Sequence, residues 1–258
     1  MAVGRVGGRP TPERPVLAAL LAIIPALDEE ETVAQVVRSV LDHLDADVLV
    51  VDDGSTDDTV RRAVAAGAIV LSHPFNLGVG AALRTGFRFA RDRGYPVAVQ
   101  IDADGQHEVA DAKRLVEAVT EGGADLVVGS RFSAGYEVGT LRRLSMRMLS
   151  RRVSRYVGVP ISDTTSGFRA FSARAIARFA SAYPTAYLSD TVEALLLAGD
   201  LGFTVNELSV QMHARQGGQP SSNSLRITYH FARLWLVLGL HRFRRPMHRT
   251  EERVEGPA

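Results

Sequence analysis

VAVQIDADGQH, Val97 to His107, is the stretch on which the fold turns. Its apolar start (Val97, Ala98, Val99, Ile101) reads as a buried strand, set off by Gly94-Tyr95-Pro96 before it and Gly105 after it. Two carboxylates, Asp102 and Asp104, stand where that strand runs out. Side chains at i and i+2 share one face of a strand, so the spacing predicts that both can face one cation. Paired hard oxygens of this kind suit Mg²⁺ or Mn²⁺, which keep waters and take further ligands from phosphates. The same spacing serves a plain strand end, whose Asp residues form turns and cap a helix. The surrounding chain has to decide between the two.

Upstream, residues 16–24 read as a first buried strand ending at Pro25. In the following ALDEEETVAQVVRSVLDHL, Val33, Val36, Val37, Val40, Leu41 and Leu44 recur at helical spacing, with Asp28 and Glu31 as a capping box. A strand at 47–51, the polar DDGSTDDT, a helix at 59–66 and a strand at 68–72 come next. Asn76-Leu-Gly-Val-Gly-Ala then opens a helix that runs through Ala90. Downstream of the Asp pair lie a helix at 109–120 and a strand at 125–129. This alternation predicts βαβ units and a mostly parallel, Rossmann-like α/β sheet. Ligands bind such sheets outside the carboxyl ends of the strands. The polar exits 25–31, 52–56, 102–107 and 129–132 all fall there.

Past Arg131 the pattern changes. Leu141, Leu144, Met148, Leu149, Val153 and Tyr156 line one side of a helix, with arginines around the rest. The polar turn DTTSGFR, 163–169, leads to a short strand at 170–172 and a helix at 174–179. A helix at 188–198, an alternating strand at 203–212, a loop at 214–224 and an amphipathic helix at 225–240 follow. One domain, 16–240, is expected between two disordered tails, 1–15 and 241–258.

A chain of 258 residues with 46% apolar content can bury one large α/β core. With no cysteine it has neither disulfides nor thiolate metal sites, which fits a cytoplasmic protein. No stretch approaches the ~20 apolar residues of a transmembrane helix. The net charge of +1 hides a split: 140–162 and 208–250 contain arginines but no acid. Such a basic surface suits phosphates or an anionic membrane, or consists of solvated helix faces; no nucleic-acid partner is expected. Carboxylates at Glu30 and Asp53 can read base N–H groups and ribose hydroxyls. Asn76, Gly78 and Gly80 open a helix whose amides could hold an anion, or form a plain tight turn.

IIPALDEEETV, VVDDGSTDDT, NLGVGAALRTGF, IDADGQH, VVGSRF and DTTSGFRAF occur here in the order found in inverting family 2 glycosyltransferases, which the chain resembles over about residues 16–240. The similarity is greatest to the branch of dolichyl- and polyprenyl-phosphate sugar transferases. That resemblance implies a GT-A fold with a nucleotide-sugar half, 16–132, and an acceptor half, 133–240. It implies that Asp102 and Asp104 are metal ligands, joined by Gln106. Pro25, Asp28, Glu30, Asp53, Asn76, Gly78 and Ala103 would hold the donor, with Arg215 on a flexible loop, RQGGQPSS, that closes over it. Asp28 stands where Asn is more usual, and Val79 where Lys is frequent. Ser166 and either Glu193 or Asp190 would lie beside the acceptor.

The chemistry divides on the acceptor. Cleaving a sugar–pyrophosphate bond leaves a diphosphate whose new charge a divalent metal and arginine stabilise. An alcohol acceptor needs a general base, for which Asp163 is the candidate. A lipid phosphate is already anionic and needs arginines instead: Arg131 with Arg142 or Arg143. The expected activity is transfer from a GDP- or UDP-sugar to a polyprenyl phosphate at the cytoplasmic membrane face, or else to a glycan hydroxyl. The terminal helix carries Ile227, Phe231, Leu234, Trp235 and Leu238 beside Arg226, His230, Arg233 and His241. It suits a peripheral position on an anionic membrane, packing on the core, or a membrane-protein partner. A sugar-1-phosphate nucleotidyltransferase is disfavoured, because PALDEEE replaces its basic Gly-rich loop and Lys113 is the only lysine.

Overall fold

The computed structural model describes residues 18–131, 140–185 and 190–213, with 140–145 as backbone alone. The two tails, Phe132, Tyr187, Arg215 and the helix expected at 225–240 lie outside these residues, as do the side chains of Arg142 and Arg143. In chain order the elements are β1 (Leu20–Ala26), α1 (Val33–His43), β2 (Asp47–Asp52), α2 (Thr59–Ala65), β3 (Ile69–Ser72), α3 (Val79–Arg93) and β4 (Val97–Gln100). They continue with α4 (Val109–Thr120), β5 (Leu126–Ser130), α5 (Thr140–Val157), β6 (Arg169–Ser172), α6 (Ala173–Ala182), α7 (Asp190–Asp200) and β7 (Val205–Ser209). Seven strands form one sheet in the order β3-β2-β1-β4-β6-β5-β7. All pairings are parallel except those of β6, which runs antiparallel to both β4 and β5.

Both faces of the sheet are covered, which is why β1, β2, β4 and β5 read as continuous apolar runs. On one face Leu21, Ile23, Leu49, Val51, Phe87, Phe171 and Phe179 pack with α3, α5, α6 and α7. On the other, Ala22, Ile24, Val48, Val50, Val99 and Leu115 pack with α1, α2 and α4. Successive residues of β1 alternate between the two cores, as the two-residue period of a strand requires.

Several expectations need correction. β1 runs on through Pro25, which pairs with Val51 of β2. Pairing with β4 stops at Ile23, so the missing N–H of Pro25 falls on a side with no neighbouring strand. The capping box does not form: α1 starts at Val33 behind Thr32, and Asp28 adopts a left-handed φ of 52°. Of the NLGVG segment, Asn76 and Leu77 lie in a loop, Gly78 caps α3, and Val79 and Gly80 open it; the helix runs on past Ala90 to Arg93. β7 ends at Ser209, after which Met212 makes a single bridge to His107. Asp102 and Asp104 do not share a strand face; β4 ends at Gln100 and both lie in the turn that follows.

Candidate active site

Three loops at the carboxyl ends of β1, β2 and β3 are laced together by their own polar groups. Thr56 N–H donates to Asp28 Oδ1 at 2.8 Å and Asp28 N–H to Ser55 Oγ at 3.0 Å. Glu29 N–H donates to Thr59 Oγ1, and Asp58 N–H to Glu30 Oε2 at 3.1 Å. Asp28 is thus exposed and Glu30 half-buried, each bracing the neighbouring loop. Asp53 is buried, and its carboxylate accepts from Gly78 N–H at 2.7 Å, from Leu77 N–H at 3.0 Å and from His73 Nδ1 at 2.7 Å. His73 in turn meets Thr85 Oγ1 through Nε2 at 2.9 Å. Asp53 therefore shapes the loop of Asn76, itself exposed, whose Oδ1 also accepts from Gly78 N–H. Gly54 is required here, because a Cβ on it would sit 2.7 Å from the Phe75 backbone.

The turn after β4 holds the two carboxylates by local bonds. Asp104 Oδ1 accepts from Gln106 N–H at 3.1 Å. Asp102 N–H donates to His107 Nδ1 at 3.2 Å, which puts the ring proton on Nε2, 3.6 Å from Asp102 Oδ2. His107 is buried and stacked on Phe168, with ring centroids 4.6 Å apart. Burial pushes its pKa down, and as acceptor from the Asp102 N–H the ring fixes the backbone that carries the Asp102 carboxylate. Gln100 Nε2 lies 3.4 Å from Asp102 Oδ1. Across the turn is Gly167, where a Cβ would stand 2.7 and 2.8 Å from the two Asp102 oxygens. The Asp102 carboxylate thus sits in a cradle that a single methyl group would fill.

That cradle, with Asp102 38% exposed in its side chain, suits a cation bound from the open side. The donors offered are carboxylate and amide oxygens, the ligands of Mg²⁺ and Mn²⁺. Among the described residues no cluster of three or more His, Cys, Asp or Glu is gathered for a metal.

On the far side of the cradle, Arg131 makes a two-pronged bond to Asp163: Nε to Oδ2 at 2.7 Å and Nη2 to Oδ1 at 3.1 Å. Nη2 also donates to Thr165 Oγ1 at 2.9 Å. Burial pushes the Asp163 carboxyl up, but Arg131 and Thr165 outweigh it and hold it below the usual carboxylate range. Ser130 Oγ contacts Ser162 Oγ at 2.7 Å, and Ser162 is bonded to Glu207. Ser166 is buried, with its hydroxyl accepting from Phe168 N–H. On α7, Glu193 is half-buried and Asp190 fully buried.

Burial raises Asp190 to about 6, although Arg169 pulls the other way. A carboxyl raised above its unfolded value near 3.9 contributes stability below pH 4 and loses it as pH rises through 6. The stability of the wild type relative to Asp190→Asn should therefore fall by about 2 kcal/mol between pH 4 and pH 7. Urea unfolding of both proteins at the two pH values measures it; a constant difference would show that Asp190 does not titrate in this range.

The fold brings Pro25, Asp28, Glu30, Asp53, Asn76, Gly78, Asp102, Ala103, Asp104 and Gln106 to strand exits along one edge of the sheet. Arg131, Asp163 and Ser166 come to the same edge, because the residues before antiparallel β6 enter from it. Gln100, His107, Gly167 and Arg169 were missed as parts of the site by sequence reasoning. His107 lay in a motif already read, and Gly167 stood beside Ser166, but nothing local distinguishes a close approach from an ordinary turn.

The seven-stranded, mostly parallel sheet flanked by helices is the architecture of GT-A glycosyltransferases, and the chain is a glycosyltransferase. The profile of glycosyl transferase family 2 matches residues 21–179, and the chain belongs to that family. Polyprenol monophosphomannose synthase of Mycolicibacterium smegmatis is 33% identical over 226 residues, 82% of this chain and 83% of that one. Undecaprenyl-phosphate mannosyltransferase of Micrococcus luteus is 38% identical over 164 residues, 60% of this chain and 66% of that one. Glucosyl-3-phosphoglycerate synthase of Mycobacterium tuberculosis, solved in complex with Mg²⁺ and UDP, superposes with a TM-score of 0.67 at 25% identity, over 87% of this chain and 79% of that one. No helix among the described residues is long and apolar enough to cross a membrane.

Proposed function

We propose that the enzyme transfers a sugar, with inversion, from a GDP- or UDP-sugar to a polyprenyl phosphate at the cytoplasmic face of a membrane. The observation that carries the acceptor class is the commitment of Asp163. Its buried carboxylate spends both oxygens on Arg131 and is held ionised well below neutral pH. A base that weak takes little of the proton of an attacking hydroxyl, whereas a phosphate monoester needs none removed. The names of the relatives from Mycolicibacterium smegmatis and Micrococcus luteus support the same choice.

In this reading Asp102, Asp104 and Gln106 hold Mg²⁺ or Mn²⁺. When bound, the cation neutralises charge on the departing diphosphate. Gly167 and His107 keep Asp102 aimed at the donor. The β1 and β2 loops, with Pro25, Asp28, Glu30 and Ala103 at their edge, receive the nucleoside, and Asp53 presents the Asn76–Gly78 loop to it. Arg131, oriented by Asp163, attracts the acceptor phosphate, with Arg142 or Arg143 of α5 and the Glu193 region of α7 beside the path. An oxygen of that phosphate bonds to the anomeric carbon as the bond to the diphosphate oxygen breaks, its electron pair leaving with the diphosphate.

The test is a detergent-solubilised assay with labelled GDP- and UDP-sugars plus Mn²⁺, offering polyprenyl phosphate or a glycan as acceptor. Product on the lipid phosphate alone is expected, and chelation should abolish it. Product on the glycan alone, lost in Asp163→Asn, would overturn the acceptor assignment.

A further inference from the structure

Beneath the crevice, one sheet face ends in a polar layer instead of an apolar one. Gln100 and Arg169 stand opposite each other in the β4–β6 register. Arg169 has no exposed surface. A buried guanidinium is costly unless its donors are met, and a planar fork of donors fixes whatever it meets. Here Nε donates to Ser166 O at 2.8 Å, Nη2 to Thr164 O at 3.3 Å and Nη1 to Thr191 O at 2.9 Å.

Two of those carbonyls lie in the 163–167 turn and the third in the first turn of α7. Asp163, which holds Arg131, begins that turn, and Gly167, which seats Asp102, ends it. The layer also holds buried polar atoms without a hydrogen-bond partner among the described residues: Gln100 Oε1, Tyr183 Oη and Asp190 Oδ2. The Arg131–Asp163–Thr165 bonds hold the turn from the crevice side, and the three Arg169 bonds tie its carbonyls to α7 from beneath.

We propose that Arg169 is a positioning residue for both substrates. By fixing the two carbonyls of the 163–167 turn against α7, it sets the Asp102 seat on one side and the Asp163–Arg131 pair on the other. This rests on the functional reading above. The competing view is a buried arginine that stabilises the fold and nothing more.

The experiment uses the full chain as wild type, Arg169→Met, Arg169→Lys and Gly167→Ala. Titration calorimetry reads binding of UDP and GDP with Mn²⁺, steady-state assays read the KM for polyprenyl phosphate, and melting checks the fold. Arg169→Met should weaken binding of the nucleotide that the wild type takes, and raise the acceptor KM, each by about tenfold or more. Gly167→Ala should shift the first alone, because the three atoms nearest its Cβ belong to Asp102 and Gln100. Arg169→Lys, which keeps the charge but loses the fork, should shift both by less, and it reads the same constants should Arg169→Met not fold. Arg169 variants that melt earlier while keeping both constants within about twofold of wild type, a span of roughly 0.4 kcal/mol, overturn the proposal. A wild type that binds neither nucleotide with Mn²⁺ overturns the functional reading and this proposal with it.

Discussion

Asp102→Asn should lower turnover by about 10³-fold, the scale on which removal of one charge-stabilising group acts, and should abolish Mn²⁺-dependent nucleotide binding. The substitution keeps the shape of the side chain and exchanges one carboxylate oxygen for an amide nitrogen. The Asp102 N–H bond to His107 Nδ1 belongs to the backbone and survives, so the turn keeps its geometry. Asn is isosteric with Asp, so the buried part of the side chain stays filled. The melting temperature should therefore stay within a few degrees of wild type. Undiminished turnover in a well-folded variant would remove Asp102 from the metal site.

The largest effect on stability is expected at Arg131→Met. Asp163 has no exposed side-chain surface, and Arg131 supplies its charge partner. Breaking a buried pair from one side typically costs 3–5 kcal/mol, here about 10 °C of melting temperature for a domain of this size. The pH dependence gives the cause away. In the wild type Asp163 lies below its unfolded value, so the pair adds stability above that value and loses it as pH falls. Without Arg131, only the Thr165 bonds oppose burial, so the Asp163 carboxyl moves up and the variant gains less stability from ionising it as pH rises. The gap between the two proteins should be widest near neutral pH and narrow below pH 4, the ordinary carboxylate range. Adding Asp163→Asn to Arg131→Met should recover part of the loss, because the uncompensated charge is gone. A gap that does not change with pH would mean that lost packing, not charge, dominates.

Much of the sheet was legible in the sequence because parallel strands buried on both faces leave continuous apolar runs between turn residues. The bounds of α4 fall where the periodicity of 109–120 puts them, with Glu108 capping Ala110 N–H. Helix starts were less visible. Asp28 and Glu31 satisfy the capping-box spacing, yet Asp28 is taken by Thr56, 28 residues away. Local rules count only local partners.

The same limit hid the cradle. Gly167 and Asp102 are 65 positions apart, and no motif states that one must lack a side chain for the other to fit. The basic second half reads as a surface for anions or as solvated helix faces, and part of it is exposed. Arg147, Arg151, Arg152 and Arg155 of α5 are exposed. Other arginines there do structural work instead: Arg169 donates to three backbone carbonyls, and Arg174 pairs with Asp125 at 2.7 Å. Composition gives the sign of a surface but does not say which charges are already spent.

The antiparallel β6 also sets a timetable for synthesis. β1, β2, β3 and β4 are neighbours in sequence and can pair as they leave the ribosome. β5 cannot, because both of its partners, β6 and β7, are made later. Until residue 169 is added, Leu126–Ser130, every residue of which is buried in the finished fold, is a strand with two open edges, the kind of segment that recruits other chains. Nascent chains stalled between about residues 131 and 168 should therefore be the ones most dependent on chaperones.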